Sequence, residues 1–75
     1  MQLANRIRQI REAYGLTQAE VAEKCNMSPS AYGQIERKAG SSTFETLQRI
    51  AKAIGVTLPF LVDIDNIELI EKNKL

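Results

Sequence analysis

Residues 16 to 37 read LTQAEVAEKCNMSPSAYGQIER, and they specify two short capped helices with almost no chain between them. Thr17 and Glu20 have the Thr-x-x-Glu spacing of a capping box. In it the hydroxyl accepts from an orphan amide of the first turn and the carboxylate reaches back to the amide of the cap. This predicts a helix beginning at Gln18. Ser28 followed by Pro29 gives the same signal in another form, a side-chain acceptor at the cap and then a residue whose missing N–H costs nothing at the first helical position. A second helix is predicted from Pro29. Cys25-Asn26-Met27 leaves room for one reversal, and Asn26 is among the few non-glycine residues that tolerate a left-handed backbone. Ala22 stands where the two helices would cross, small enough to let them approach. Tyr32 and Ile35, three residues apart, would face the core from the second helix.

The rest of the chain supplies helices to cover that pair. Leu3, Ile7, Ile10 and Tyr14 recur at helical spacing and predict a first helix over about residues 2 to 14, with Gly15 as its stop and Arg6 and Arg8 on its other face. Phe44, Leu47, Ile50, Ala51 and Ile54 mark a fourth helix, capped by Ser42 or Thr43 and ended by Gly55. Thr57 can cap a short fifth helix with Pro59 in its first turn and Phe60 and Leu61 turned inward. Residues 64 to 75 read two ways. Ile64, Ile67 and Ile70 have helical spacing, whereas Ile67 and Leu69 alternate with charged residues as in a strand. The expected fold class is all-α: a compact five-helix body over residues 1–62, with a short C-terminal tail over residues 63–75.

Composition narrows the function. Seventy-five residues are expected to hold one domain with one modest core. A single cysteine excludes an intramolecular disulfide framework, and without histidine no zinc site is expected, nor any cofactor. Cys25 occupies an apolar position of its helix and reads as a small core residue, not a redox centre. No apolar run approaches the ~20 residues that span a bilayer, and the N-terminus lacks a signal-peptide pattern, so a soluble, cytoplasmic protein with no membrane contact is expected. The serines lack an activating base or a glycine-rich nucleophile turn, which argues against an enzyme. The net charge of +1 divides unevenly. Residues 1 to 62 hold eight Lys and Arg against five Asp and Glu, while residues 63 to 75 hold two against four. A mildly basic body with an acidic tail is compatible with DNA binding.

Several stretches together match one family pattern in type and spacing: Leu16-Thr17-Gln18, Val21-Ala22-Glu23-Lys24, Ile35-Glu36-Arg37, Glu45-Thr46-Leu47 and Ile50-Ala51-Lys52-Ala53-Ile54-Gly55-Val56. Over roughly residues 3 to 62 the chain resembles the lambda-repressor/Cro-like helix-turn-helix proteins, the Xre family. The resemblance implies a DNA-binding transcription regulator whose recognition helix, starting near Pro29, enters the major groove while the preceding helix crosses the backbone. Ser30, Ala31 and Gln34 then become candidates for base edges. A glutamine amide can both donate to and accept from adenine, a serine can bond a base or a phosphate, and an alanine methyl can pack on thymine. Ser28, which caps that helix, belongs with them. Gln18 is similar to the family's glutamine that binds a phosphate and braces a recognition-helix side chain. Lys38, Ser41, Ser42 and Thr43 fall where the family's loop meets the sugar-phosphate backbone, contacts that position without specifying. Arg11 and Glu36 match a pair that in related domains is an internal salt bridge.

Some positions depart from the pattern. Pro29 stands where many relatives carry a polar base-reading residue, Tyr32 replaces a branched aliphatic, and Lys38 replaces a helix-ending glycine. Gly33 weakens the recognition helix by ~1 kcal/mol relative to alanine while allowing the backbone close to DNA. These departures predict sparse direct readout and more dependence on groove shape. The expected partners are double-stranded DNA and a second copy of the chain, with the fifth helix and the apolar tail residues as the interface. The alternatives are an antitoxin-like component holding a toxin partner, and an adaptor without DNA binding.

Overall fold

The computed structural model describes residues 2–63. Five α-helices follow one another: α1 (Gln2–Ala13), α2 (Gln18–Lys24), α3 (Pro29–Arg37), α4 (Phe44–Ile54) and α5 (Leu58–Val62), with one 3-10 turn over Ala39–Ser41. The caps explain the boundaries. Thr17 Oγ1 accepts from the Glu20 amide at 3.1 Å and the Glu20 carboxylate accepts from the Thr17 amide at 2.8 Å, closing the capping box of α2. The same contacts hold the Glu20 carboxyl below its ordinary range, the bond from the Thr17 backbone first among them. Ser28 Oγ accepts from the Ala31 amide at 3.1 Å, with Pro29 opening α3. Between the two helices Asn26 adopts φ 62°, and the Met27 amide returns to the Ala22 carbonyl at 3.0 Å. This left-handed residue lets three residues reverse the chain.

The later boundaries decide what the sequence left open. Thr43, not Ser42, caps α4, accepting from the Thr46 amide at 3.1 Å. Lys38 at φ −108° makes no left-handed stop; the chain tightens from α3 into the 3-10 turn, and Ala39 is buried beneath it. Gly15 (φ 72°) and Gly55 (φ 98°) end α1 and α4 in the left-handed region that glycine enters without steric cost.

All five helices contribute to one core: Ile7 and Ile10 from α1, Val21 and Ala22 from α2, Tyr32 from α3, Ile50 and Ala51 from α4, and Leu61 from α5. Each larger apolar side chain withdrawn from water here stabilises the fold by ~1.5–3 kcal/mol. Cys25 is buried in the same core, and burial pushes its thiol above the ordinary range although Arg49 opposes the shift. Ala22 is fully buried, which permits the close packing of α2 on α3.

Four side chains depart from the helical-period reading. Tyr14 is exposed because α1 ends at Ala13, one residue before it, and Phe44 is exposed because it opens α4 on the outer turn. Phe60 remains partly exposed, while its neighbour Leu61 is the residue of α5 that enters the core. Arg6 is the largest correction. It does not lie on a solvent face but is 1% exposed, with Nε donating to the Leu61 carbonyl at 3.3 Å and Nη2 donating to the Phe60 carbonyl. Its guanidinium lies 4.9 Å from the centroid of the Phe60 ring, a cation–π contact. Desolvation lowers the Arg6 pKa, and Asp63 works in the opposite direction. Arg6 thus ties α1 to the last carbonyls of α5.

No helix among the described residues is long and apolar enough to cross a membrane. The helix-or-strand reading of residues 64 to 75 lies outside the described residues.

Candidate nucleic-acid interface

The site is built on a buried carboxylate. Glu36, in the last turn of α3, is 3% exposed and accepts from three elements. Arg11 of α1 donates through Nε to Oε2 at 2.8 Å and through Nη2 to Oε1 at 3.2 Å. Gln18 of α2 donates through Nε2 to Oε1 at 3.1 Å, and Tyr32, one turn earlier on α3, donates its hydroxyl to Oε2 at 2.7 Å. Arg11 Nη1 also donates to the Leu16 carbonyl at 2.8 Å, so the guanidinium fork spans α1, the α1–α2 turn and α3. Burial works against ionisation of Glu36, yet the bonds from Arg11, Tyr32 and Gln18 outweigh it and hold the carboxyl below its ordinary value. The Glu36 carboxylate, by accepting from Arg11, raises the Arg11 pKa. Burial and the bond to Glu36 push the Tyr32 phenol well above its usual range. Three helices are thereby held at one angle by one charged centre.

That centre leaves one side of α3 bare. Ser28, Ser30, Ala31, Gln34 and Lys38 are exposed, and Ser41 and Thr43 continue the exposed surface past the helix end, with Ser42 half-buried. Gln34, Ile35, Lys38, Ser41, Ser42, Thr43 and Thr46 line a shallow groove along this side. Gln18 is half-buried, its amide turned onto Glu36. Gly33 differs from its sequence reading. It is buried and does not present bare backbone, because Gln18 Oε1 lies 3.6 Å, and Arg37 Nη1 3.8 Å, from where a Cβ would stand. Two polar side chains thus cover that position at ordinary van der Waals distance.

A helix of nine residues, capped and exposed at its N-terminal half, follows a seven-residue helix across a four-residue connection. The sequence matches the helix-turn-helix family over residues 7–61. The chain is a lambda-repressor/Cro-like helix-turn-helix domain of that family. Among its relatives is the immunity repressor protein of Bacillus phage phi105, 37% identical over 62 residues, an alignment covering 83% of this chain and 43% of the relative. The HTH-type transcriptional regulator RamB of Mycobacterium tuberculosis is 34% identical over 68 residues, covering 91% of this chain and 14% of the relative. The chain therefore spans less than half the length of these curated relatives. No solved structure matches it significantly.

The helix-turn-helix domain contains functional geometry that sequence reasoning missed. Tyr32, expected from the sequence only to pack in the core, also bonds Glu36 four residues on, a spacing that places the two on one helix face. Arg6 lies on the helical arc shared by Leu3 and Ile10, so periodicity would have buried it had its charge not assigned it to solvent. Arg8 and Arg37 carried no sequence signal, since only the packing of α1 beside α3 brings them to one groove, which Ala4, Asn5, Gln18 and Glu36 complete.

Proposed function

We propose that this domain is a sequence-specific transcriptional regulator acting on double-stranded DNA in the cytoplasm, bound as a homodimer with α3 in the major groove. Residues 1–62 form the DNA-binding body and residues 63–75 a tail available to a partner. The exposed N-terminal half of α3, braced from behind by the Glu36 centre, is the observation that carries this reading. Gln34 reads an adenine edge, while Ser30 and Ala31 meet a base or a thymine methyl. Ser28 Oγ accepts from the Ala31 amide and so keeps its own proton free to donate to a phosphate. Gln18, Lys38, Ser41, Ser42 and Thr43 hold the sugar-phosphate backbone and set the register. The names of the relatives, a repressor and a transcriptional regulator, support the same reading. One recognition helix reads few base pairs, so two copies on half-sites about 34 Å apart supply the specificity.

Selection of bound sites from a random duplex library, run with the wild-type chain and with Gln34→Ala, tests this. The expected result is a two-fold symmetric site for the wild type and loss of preference at one symmetric pair of positions for the variant. Sedimentation on the selected site is expected to give two chains per duplex. Failure of the wild-type chain to enrich any sequence refutes the function, and unchanged preference in the variant refutes the role of Gln34.

A further inference from the structure

We propose that Arg8 of α1 and Arg37 of α3, together with Gln18, clamp a phosphodiester of the DNA backbone on the α1 side of the recognition helix. The inference rests on the DNA-binding reading and extends the interface to a helix that reading leaves out.

The groove that holds these groups is lined by Ala4, Asn5, Arg8, Gln18, Glu36 and Arg37. Its one carboxylate, Glu36, is already matched by the Arg11 guanidinium, so the groove carries the uncompensated charge of two arginines. Both are exposed, and no acidic side chain among the described residues lies within ion-pair distance of either. Arg37 follows Ser30 and Gln34 at successive helical turns, so it continues the edge of the reading face toward α1. The Gln18 amide and the Arg37 guanidinium both come within 4 Å of the point above the α3 backbone where a Gly33 Cβ would stand. The Gln18 amide is held in place by its bond to Glu36. Two guanidinium forks beside a fixed amide match the non-bridging oxygens of a phosphodiester, which accept several N–H bonds at once. A base edge is a poorer occupant, since the groove lies at the C-terminal flank of α3 rather than at its exposed N-terminal half.

The test uses the 75-residue chain and its double variant Arg8→Gln/Arg37→Gln, titrated over a range of salt against the duplex that the wild type selects. Each lost phosphate contact lowers the slope of log affinity against log salt by about 0.9, so loss of the clamped phosphodiester is expected to make the variant slope shallower by about 0.9 per bound chain. Between about 50 and about 200 mM salt, the affinity advantage of the wild type then shrinks about 3.5-fold. Site preference, measured by the same library selection, is expected to stay unchanged. A variant slope within about 0.5 of the wild type overturns the clamp. A changed preference at one position also overturns it, because an arginine would then be reading a base. A wild-type chain that selects no duplex defeats the DNA reading itself, an outcome separate from either of these. Should the double variant melt early, Arg8→Gln and Arg37→Gln singly are each expected to weaken binding to the selected duplex with site preference unchanged, and a single variant that binds as tightly as the wild type overturns that arginine's part in the clamp.

Discussion

Replacing Arg11 with methionine removes the one full positive charge bonded to Glu36 while keeping most of the side-chain volume. In the wild type, Arg11 is 6% exposed and Glu36 3%, and two of the four hydrogen bonds to the carboxylate come from Arg11 at 2.8 and 3.2 Å. The variant leaves a buried carboxylate with only the Tyr32 hydroxyl and the Gln18 amide, and strands the Leu16 carbonyl that Arg11 Nη1 now reaches at 2.8 Å. Breaking a buried pair from one side costs ~3–5 kcal/mol. In a domain of this size each 1 kcal/mol moves the melting temperature by roughly 4–8 °C, so the loss is expected to exceed about 12 °C. It also approaches the whole stability of many small domains, at ~5–15 kcal/mol. Thermal unfolding followed by circular dichroism reads this directly. The double variant Arg11→Met/Glu36→Leu separates pair from packing, because with no charge left to strand it is expected to recover much of the loss. A single variant that melts within about 4 °C of the wild type, or a double variant no better than the single, would refute the placement of the Glu36 centre at the heart of this fold.

Glu36 also makes stability depend on pH. Its folded pKa lies below the ordinary value of 4.5, so its contribution is present above that pH and is lost as pH falls through the folded pKa. Melting temperatures measured from pH 6 downward are expected to fall more steeply below pH 4.5 in the wild type than in Glu36→Gln; parallel curves would remove the claim. Gly33→Ala is expected to stabilise the domain by ~0.5–1 kcal/mol, since α3 gains helix propensity and the new methyl meets Gln18 Oε1 at an ordinary 3.6 Å. Denaturant titration checks this, and a destabilised variant would mean that the Gln18 amide cannot share the space.

Much of this protein was decided by short-range signals. Thr17 with Glu20, Ser28 with Pro29, and Thr57 each fix a helix start through groups at most three residues apart, so the sequence alone places α2, α3 and α5. Asn26, Gly15 and Gly55 act equally locally, because left-handed backbone is a property of one residue and its neighbours. The proposed reading face follows from these starts, since Ser30, Ala31 and Gln34 are set by counting from Pro29.

What lies beyond counting is where two helices meet. Periodicity gave Tyr14, Phe44 and Phe60 to the core because it scores residue type along one helix, and it cannot know that a helix stops one residue short or that a first turn overhangs. It gave Arg6 to solvent, although the carbonyls at the end of α5, 54 and 55 residues away, make a buried arginine there favourable. The choice of Thr43 over Ser42, the passage of α3 into a 3-10 turn at Lys38, and the covering of Gly33 by Gln18 and Arg37 belong to the same class. The sequence by itself determined where the helices begin, which way the chain reverses and which side chains α3 leaves exposed, because caps and turns are local chemistry. Only the tertiary structure decided which charges are buried and which converge. A hydrogen bond or a charge is satisfied by whatever packing brings within about 3 Å, and that distance is blind to separation along the chain.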